Sequence, residues 1–496
     1  MQRGDALSLD GATGRPQMTQ MTQILRRLLT LAIGVAGLFA PAIAVEPLPA
    51  SLRAGAATAV ITPPIGTVMN GGTAPAISTH VHDELHARAI VLESGTNRLL
   101  FVQIDNCLID RPLIDQMKER IRQAVGIDPT RICIAATHTH SAGSLTGAHL
   151  AEPDAAYRAW IPGPVTDAVR RAVHQLAPAE VAWGKGTLPQ HVFNRRIQVK
   201  PGTSYTNLLG RTGDRVKMNW SSPSPEDHEF AGPVDPEVSL VSVRHSDGHP
   251  IALLANYSLH YVGGTGPGEL SADYFGEFCD RITDRLGVPR QDPPFVALLS
   301  NGTSGDINNN DFRHPRPRMP PYAQIHRVAD DLASEVHRVL RTLTYTNRVA
   351  LTARSAEVPV RVRKPSADDV ATARRLLNGR GVDQLRSWVE IHARDQVLLA
   401  DYPDELSLPL QVFGIGALRI AQWPGEIFAE SGLALKKYAQ PKPLVNISLA
   451  NGWFGYIPPP GQHALGAYET WRLRTSPLEA DAIPRLLGTF HELLKP

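Results

Sequence analysis

The apolar positions of this chain follow two periods. Arg98–Asp105 (RLLFVQID) and Arg131–Ala136 (RICIAA) are short apolar runs of strand length, and Asp110–Val125 between them carries helical spacing. Two strands joined by a helix predict parallel pairing through a right-handed crossover. Val238–Val243 and Pro250–Ala255 flank the turn Ser246-Asp247-Gly248 and read as a hairpin. Helical spacing recurs at Tyr274–Leu286, Ala323–Leu343, Ala367–Leu377 and Val382–Leu399. A strand-rich stretch over Leu408–Gln422 precedes a helix at Glu426–Tyr438 and a strand at Leu444–Leu449. Segment 200–236 is rich in Gly, Pro, Ser and Asn without period, and reads as a long functional or capping loop. The pattern predicts an α/β fold: a large mixed-sheet lobe with flanking helices over 45–360, and a closely packed second α/β lobe over 361–496.

The first residues follow neither period. Arg26 and Arg27 precede Leu28–Ala40, a run apolar apart from Thr30, and Ala42-Ile43-Ala44 supplies the small residues a signal peptidase accepts. This predicts a cleaved leader over 1–44 and export to the periplasm or the extracellular space, with Met1, Met18 and Met21 as alternative starts. The run falls short of the roughly 20 apolar residues that span a bilayer, and no longer one follows, so the mature chain is expected to lack a transmembrane segment. The whole chain of 496 residues holds 50 Lys+Arg against 48 Asp+Glu. The leader, with four Arg and two Asp, accounts for that excess of +2, which leaves the rest formally neutral. A neutral body argues against a nucleic-acid partner. Three cysteines, Cys107, Cys133 and Cys279, fit either a Cys107–Cys133 bridge or three buried thiols.

Chemistry concentrates where strands are predicted to end. Thr137-His138-Thr139-His140-Ser141 directly follows RICIAA, and on an extended segment His138 and His140 share a face. Ligands gather past the carboxyl ends of strands in α/β sheets, so both imidazoles can line one site, although the spacing leaves open whether one or both touch a metal. Asn256-Tyr257-Ser258-Leu259-His260 ends a second strand in a histidine, and Trp423-Pro424-Gly425-Glu426 offers a carboxylate in a first helical turn. Catalytic zinc takes this mixture of imidazole and carboxylate. His80, His82 and His86 imitate a metal cluster, but Asp83-Glu84 interrupts them, and Asp83 reads as an anchor. The loop Ser300–Asp311 lacks the Gly-Lys-Ser/Thr ending of a phosphate loop and the spacing of an EF-hand. No Gly-x-Ser-x-Gly elbow or Cys-x-x-Cys motif is present.

Taken in order, AGAATAVITPP (54–64), DELHARAIVLE (83–93), AATHTHSAG (135–143), FNRR (193–196), GPVDPEVSL (232–240), NYSLH (256–260), LSADYFGEF (270–278), NGTSGDINNN (301–310), WPGEIF (423–428), NGWFGYIPP (451–459) and AYE (467–469) resemble the neutral/alkaline (non-lysosomal) ceramidase family. The resemblance implies one zinc ion per chain, with His138, His260, Glu426 and Tyr456 as ligands. It implies catalytic roles for His140, Arg195 and Tyr468 and an amide substrate, an N-acyl lipid or a related small amide. Two departures stand out. The family's Gly-Asp/Asn-x-Ser-Pro-Asn becomes Gly305-Asp306-Ile307-Asn308-Asn309-Asn310, so Asn308 replaces a serine considered essential to amide cleavage. An amide can orient a substrate but cannot serve as nucleophile or proton relay. The family's extra C-terminal β-sandwich is also expected to be absent. Three readings compete, in this order: an exported zinc amidohydrolase, the same fold acting on a non-lipid amide or ester, and a non-catalytic binding protein.

Overall fold

The computed structural model describes residues 49–203, 205–220, 228–290, 293–314, 317 and 319–495; the leader read over 1–44 lies outside them. Eight strands build the main sheet: β1 (Leu52–Val60), β2 (His86–Ser94), β3 (Asn97–Ile104), β4 (Ile132–Ala136), β5 (Ala177–Thr187), β6 (Glu237–His245), β7 (Pro250–Tyr257) and β8 (Val296–Asn301). Their spatial order is β8-β7-β6-β5-β1-β2-β3-β4. The inner pairs are antiparallel, including the predicted β6–β7 hairpin, while β3–β4 and β7–β8 at the two ends are parallel. Each parallel pair needs a crossover, and a helix supplies it: α1 (Arg111–Val125) follows β3, and, beyond α2 (Pro162–His174), α3 (Asp273–Leu286) follows β7. Asp110 caps α1 by accepting from Leu113 N at 3.1 Å, and Gly126 closes it with φ 70°.

The strands are apolar on both faces because both are covered. Ala87, Ala89, Val91, Leu100, Val102, Ile132 and Ile134 pack against α1 and α2. Leu240, Leu253, Ala255, Ala297 and Leu299 pack against α3 and α4 (Ala323–Leu340). The opposite face, with Ile90, Leu99, Phe101, Val181, Val241 and Leu298, receives Phe413, Ile415, Ile420 and Val445 from a second sheet. That sheet has the order β9-β10-β11-β12, from β9 (Leu351–Arg361), β10 (Glu405–Ile415), β11 (Leu418–Gln422) and β12 (Leu444–Ile447). Helices α5 (Ala367–Leu377) and α6 (Trp388–Ala400) form a hairpin between β9 and β10, α7 (Ala429–Ala439) leads into β12, and α8 (Ala482–Leu494) closes the outer face.

The main sheet curls until its two end strands meet. Asn301, at the end of β8, donates from Nδ2 to Thr137 O at 3.4 Å, just past the end of β4. Residues 448–451 thread the seam: Ser448 N donates to Asn301 O at 2.9 Å and Asn451 N to Ile134 O at 2.7 Å.

Two expected elements differ. The helix expected over Val382–Leu399 is a 3-10 turn at Val382–Gln384 followed by α6, because Ser387 and Glu390 form a capping box that starts a new helix. The helix expected from Glu426 begins at Ala429, and Glu426 lies instead in the two-residue strand Glu426–Ile427. That strand pairs in parallel with Tyr456–Ile457, a partner 30 residues away in sequence that local spacing cannot reveal. All three cysteines are free and buried.

The turn after β3 depends on one buried ion pair. Asp105 Oδ2 accepts from Arg88 Nη1 at 2.5 Å and from His86 N at 2.9 Å, with both charged side chains almost fully enclosed. Removing one partner strands the other charge, so Asp105→Ala is expected to lower the unfolding free energy by about 3–5 kcal/mol. Urea denaturation checks this, and a loss below about 1 kcal/mol, the scale of an exposed pair, contradicts it.

Candidate metal centre

The curled sheet brings three chain segments to one point. His138 follows β4 with φ 78°, a left-handed conformation costly for a residue with a Cβ. The expected shared face of His138 and His140 is met, but through this backbone twist and not through a continued strand. His138 N donates to Asn106 O at 2.9 Å, and its ring Nδ1 meets Cys107 O at 3.0 Å, so the turn held by Asp105 fixes the ring. His260, three residues past β7, sets its Nδ1 against Ser304 O at 3.0 Å. A carbonyl only accepts, so each Nδ1 carries a hydrogen and each Nε2 is left to face the site.

Those Nε2 atoms are 3.0 Å apart. Glu426 Oε2 lies 3.4 Å from the first and 3.7 Å from the second. The other carboxylate oxygen accepts from Trp453 Nε1 at 3.0 Å, while Oε2 is buried with no donor of its own. Three acceptors thus converge in a site where His138, His260 and Glu426 are each at most 4% exposed. A tetrahedral metal with ligand bonds of about 2.1 Å has edges of about 3.4 Å, which is the scale of these separations. The donor set and the orphaned oxygen fit a metal ion. Tyr456 stands opposite Glu426 in the short parallel pair, with burial and then the Glu426 charge pushing its phenol well above its usual pKa. Gly305 permits the close approach of the loop after β8, since a Cβ there would come within 2.7 Å of Glu426 O.

His140 adds a third imidazole, with Nε2 3.2 Å from that of His138 and its ring stacked on Tyr261 at 3.6 Å. Its backbone neighbour must be Gly71, where a Cβ would lie 2.6 Å from the His140 Cβ. Burial, His138 and Arg195 hold the His140 pKa well below its ordinary value. Arg195 Nη1 lies 3.4 Å from His260 Nε2, its guanidinium sits 5.4 Å from the Tyr456 ring centre, and Nη2 is buried without a partner. Tyr468 packs edge-on against Tyr456 at 5.4 Å. Asn308 extends the strand Ile307–Asn308 against Phe193–Asn194, beside Arg195, and its side-chain oxygen accepts from Asn309 at 3.2 Å. His80, His82 and His86 do not join the cluster. His82 stacks on Tyr322 at 3.5 Å, and Asp83 anchors the segment by accepting from Ala272 N at 2.7 Å.

Sequence reasoning missed the groups that hold this set in place. Glu469 is fully buried and accepts from Arg195 Nε at 2.9 Å and Arg196 Nη1 at 2.7 Å, a bridge across 274 residues with no local signal beyond the neighbouring Tyr468. Trp453 and His149, which contacts Tyr468, were also unread.

A profile described as neutral/alkaline non-lysosomal ceramidase, N-terminal, matches residues 53–313. Two solved structures share the fold. One, described as a ceramidase complexed with C2, has a TM-score of 0.65 and 18% identity over 90% of this chain and 74% of that one. The other is neutral ceramidase from Pseudomonas aeruginosa, with a TM-score of 0.65 and 19% identity over the same shares.

Without a metal, the converging acceptors need a proton. Burial lowers the His138 pKa, but the Glu426 charge outweighs it and lifts the value to about 10. Metal uptake must expel that proton, so below pH 10 each rise in pH removes competition. With zinc as the probe, apparent affinity is expected to rise about tenfold per pH unit between about pH 6 and 8, read by competition with a chromophoric chelator. An affinity independent of pH contradicts the assignment.

Proposed function

The chain belongs to the neutral/alkaline non-lysosomal ceramidase family, and on that footing we propose that it is an exported, zinc-dependent hydrolase cleaving the amide of an N-acyl lipid or a related small amide. The observation that carries the metal part is the meeting of His138 Nε2, His260 Nε2 and Glu426 Oε2 with no hydrogen of their own to share. Those residues and Tyr456 would hold one ion per chain. Zinc bound there would polarise a carbonyl and lower the pKa of water to about 7.

The remaining chemistry belongs to the chain. His140 is neutral at physiological pH, so its ring can take a proton from the attacking water and return it to the leaving amine. The unpartnered Nη2 of Arg195 offers a hydrogen bond to the substrate oxygen as it gains charge, and the Glu469 bridge keeps that guanidinium fixed. Tyr468 supplies a second donor. The buried setting strengthens each of these interactions by excluding water.

Asn308 favours a second reading, the same fold acting on a non-lipid amide or ester. Its amide can position a substrate, but it lacks the hydroxyl that the resemblance expects there. Among the described residues no helix is long and apolar enough to cross a membrane.

Hydrolysis of N-acyl lipids and short amides by zinc-loaded protein, chelator-treated protein and His138→Ala tests the proposal. Loss of the metal is expected to cost about a hundredfold or more, as its several kcal/mol of charge stabilisation require. Equal rates in the three preparations overturn it. In the same screen Asn308→Ser is expected to create or raise ceramide cleavage, and an unchanged substrate profile counts against Asn308 as the specificity switch.

A further inference from the structure

We propose that His149 is a positioning residue for Tyr468, donating a hydrogen bond to the phenol oxygen so that the phenol's own hydrogen is free to point at the substrate. This rests on the reading of Tyr468 as a donor in the proposed hydrolase. His149 lies in the loop after β4, 7% exposed, with its ring Nε2 3.0 Å from the Tyr468 hydroxyl. The backbone there is left-handed, φ 51°, an uncommon conformation that needs external support. Support comes from two arginines: Arg394 Nη1 and Arg474 Nη2 both donate to His149 O at 2.7 Å. Arg474 is itself held by Asp395 at 2.8 Å, and Arg394 projects from α6. Trp388, also on α6, packs edge-on against His149 and Tyr468, each at 5.4 Å.

Which nitrogen carries the hydrogen decides what the pair can do. Burial pushes the His149 pKa down to about 4, so the ring is neutral and has one N–H. Nδ1 is buried and has no hydrogen-bond partner. A hydrogen on Nδ1 would be an orphaned donor, the rarest kind of unsatisfied buried group. The hydrogen therefore belongs on Nε2, where the Tyr468 oxygen accepts it. Thr475 Oγ1 is buried without a hydrogen-bond partner. Burial raises the Tyr468 pKa and the Thr475 side chain lowers it, which a donor to the phenol oxygen does and an acceptor of the phenol hydrogen does not. With its oxygen occupied by His149, Tyr468, edge-on to Tyr456 at 5.4 Å, becomes a one-directional donor available to an oxyanion formed at the metal cluster.

Two measurements test this. In histidine-15N-labelled protein, one neutral ring is expected to show the Nε2–H pattern, to vanish in His149→Phe, and to shift in Tyr468→Phe. A ring bearing its hydrogen on Nδ1, or one indifferent to Tyr468→Phe, overturns the proposal whatever the substrate. In zinc-loaded protein, His149→Phe is expected to lower kcat about 10- to 100-fold with KM nearly unchanged, the scale typical of lost support to a site residue. His149→Gln, which places an amide donor at similar reach, is expected to recover most of that loss. Equal kcat for wild type and His149→Phe overturns the proposal. Wild-type protein inactive on every amide overturns the proposed hydrolase instead, and the labelled-histidine result still decides the role of His149.

Discussion

Two imidazoles whose Nδ1 hydrogens are both committed to backbone carbonyls have only lone pairs left to offer each other. In this protein they face one another at 3.0 Å, with a carboxylate oxygen completing the triangle. Such an arrangement is repulsive unless a cation sits within it, and burial forbids water from relaxing it. The fold therefore holds the three groups so close that a proton or a metal ion must sit among them. Cys107 O and Ser304 O grip the rings, Trp453 grips the carboxylate, and the left-handed backbone at His138 turns its ring into the site.

The architecture explains how three separate segments can be held this way. A flat mixed sheet would place β4 and β8 at opposite edges, yet the Asn301–Thr137 contact and the 448–451 segment close those edges on each other. The second sheet fills the inside of the curl with Phe413, Ile415 and Val445, so the closure is enforced by packing as well as by hydrogen bonds. The strands of both parallel pairs end on the same side of the seam. Their following loops deliver His138, His260 and the Ser304 carbonyl together, the expected location for chemistry in a sheet with parallel edges.

What could be read from the sequence follows the range of each interaction. The β3–α1–β4 unit and the β6–β7 hairpin are local, and both appear as their spacing predicts. His138 and His260 were legible as strand-end histidines for the same reason. Glu426 was legible as a carboxylate but not as part of a strand, because its partner Tyr456 belongs to a chain segment that arrives only through tertiary packing. Glu469 and Trp453 lie in the AYE and NGWFGYIPP segments, but nothing local marks either as a support, and His149 had no local signature. Their identity as supports depends on contacts such as Arg195–Glu469, which spans 274 residues.

The charges enclosed around the site suggest why these supports take the form they do. Glu426, Glu469 and Asp306 are buried carboxylates, and burial lifts Asp306 to a pKa of only about 6, so all three are ionised at neutral pH. Against them stand the buried guanidinium groups of Arg195 and Arg196. With the proton that Glu426 draws onto His138, the enclosed set is formally balanced, which is what a site closed to water requires. Exchanging that proton for a divalent ion leaves one positive charge in excess. In the proposed hydrolase, that excess would lie beside the carbonyl oxygen as it gains charge, so the site favours the transition state over the neutral amide. Glu469 is essential to this balance: without it the excess would grow by one further positive charge, and the site would favour any passing anion over the charge created by the reaction.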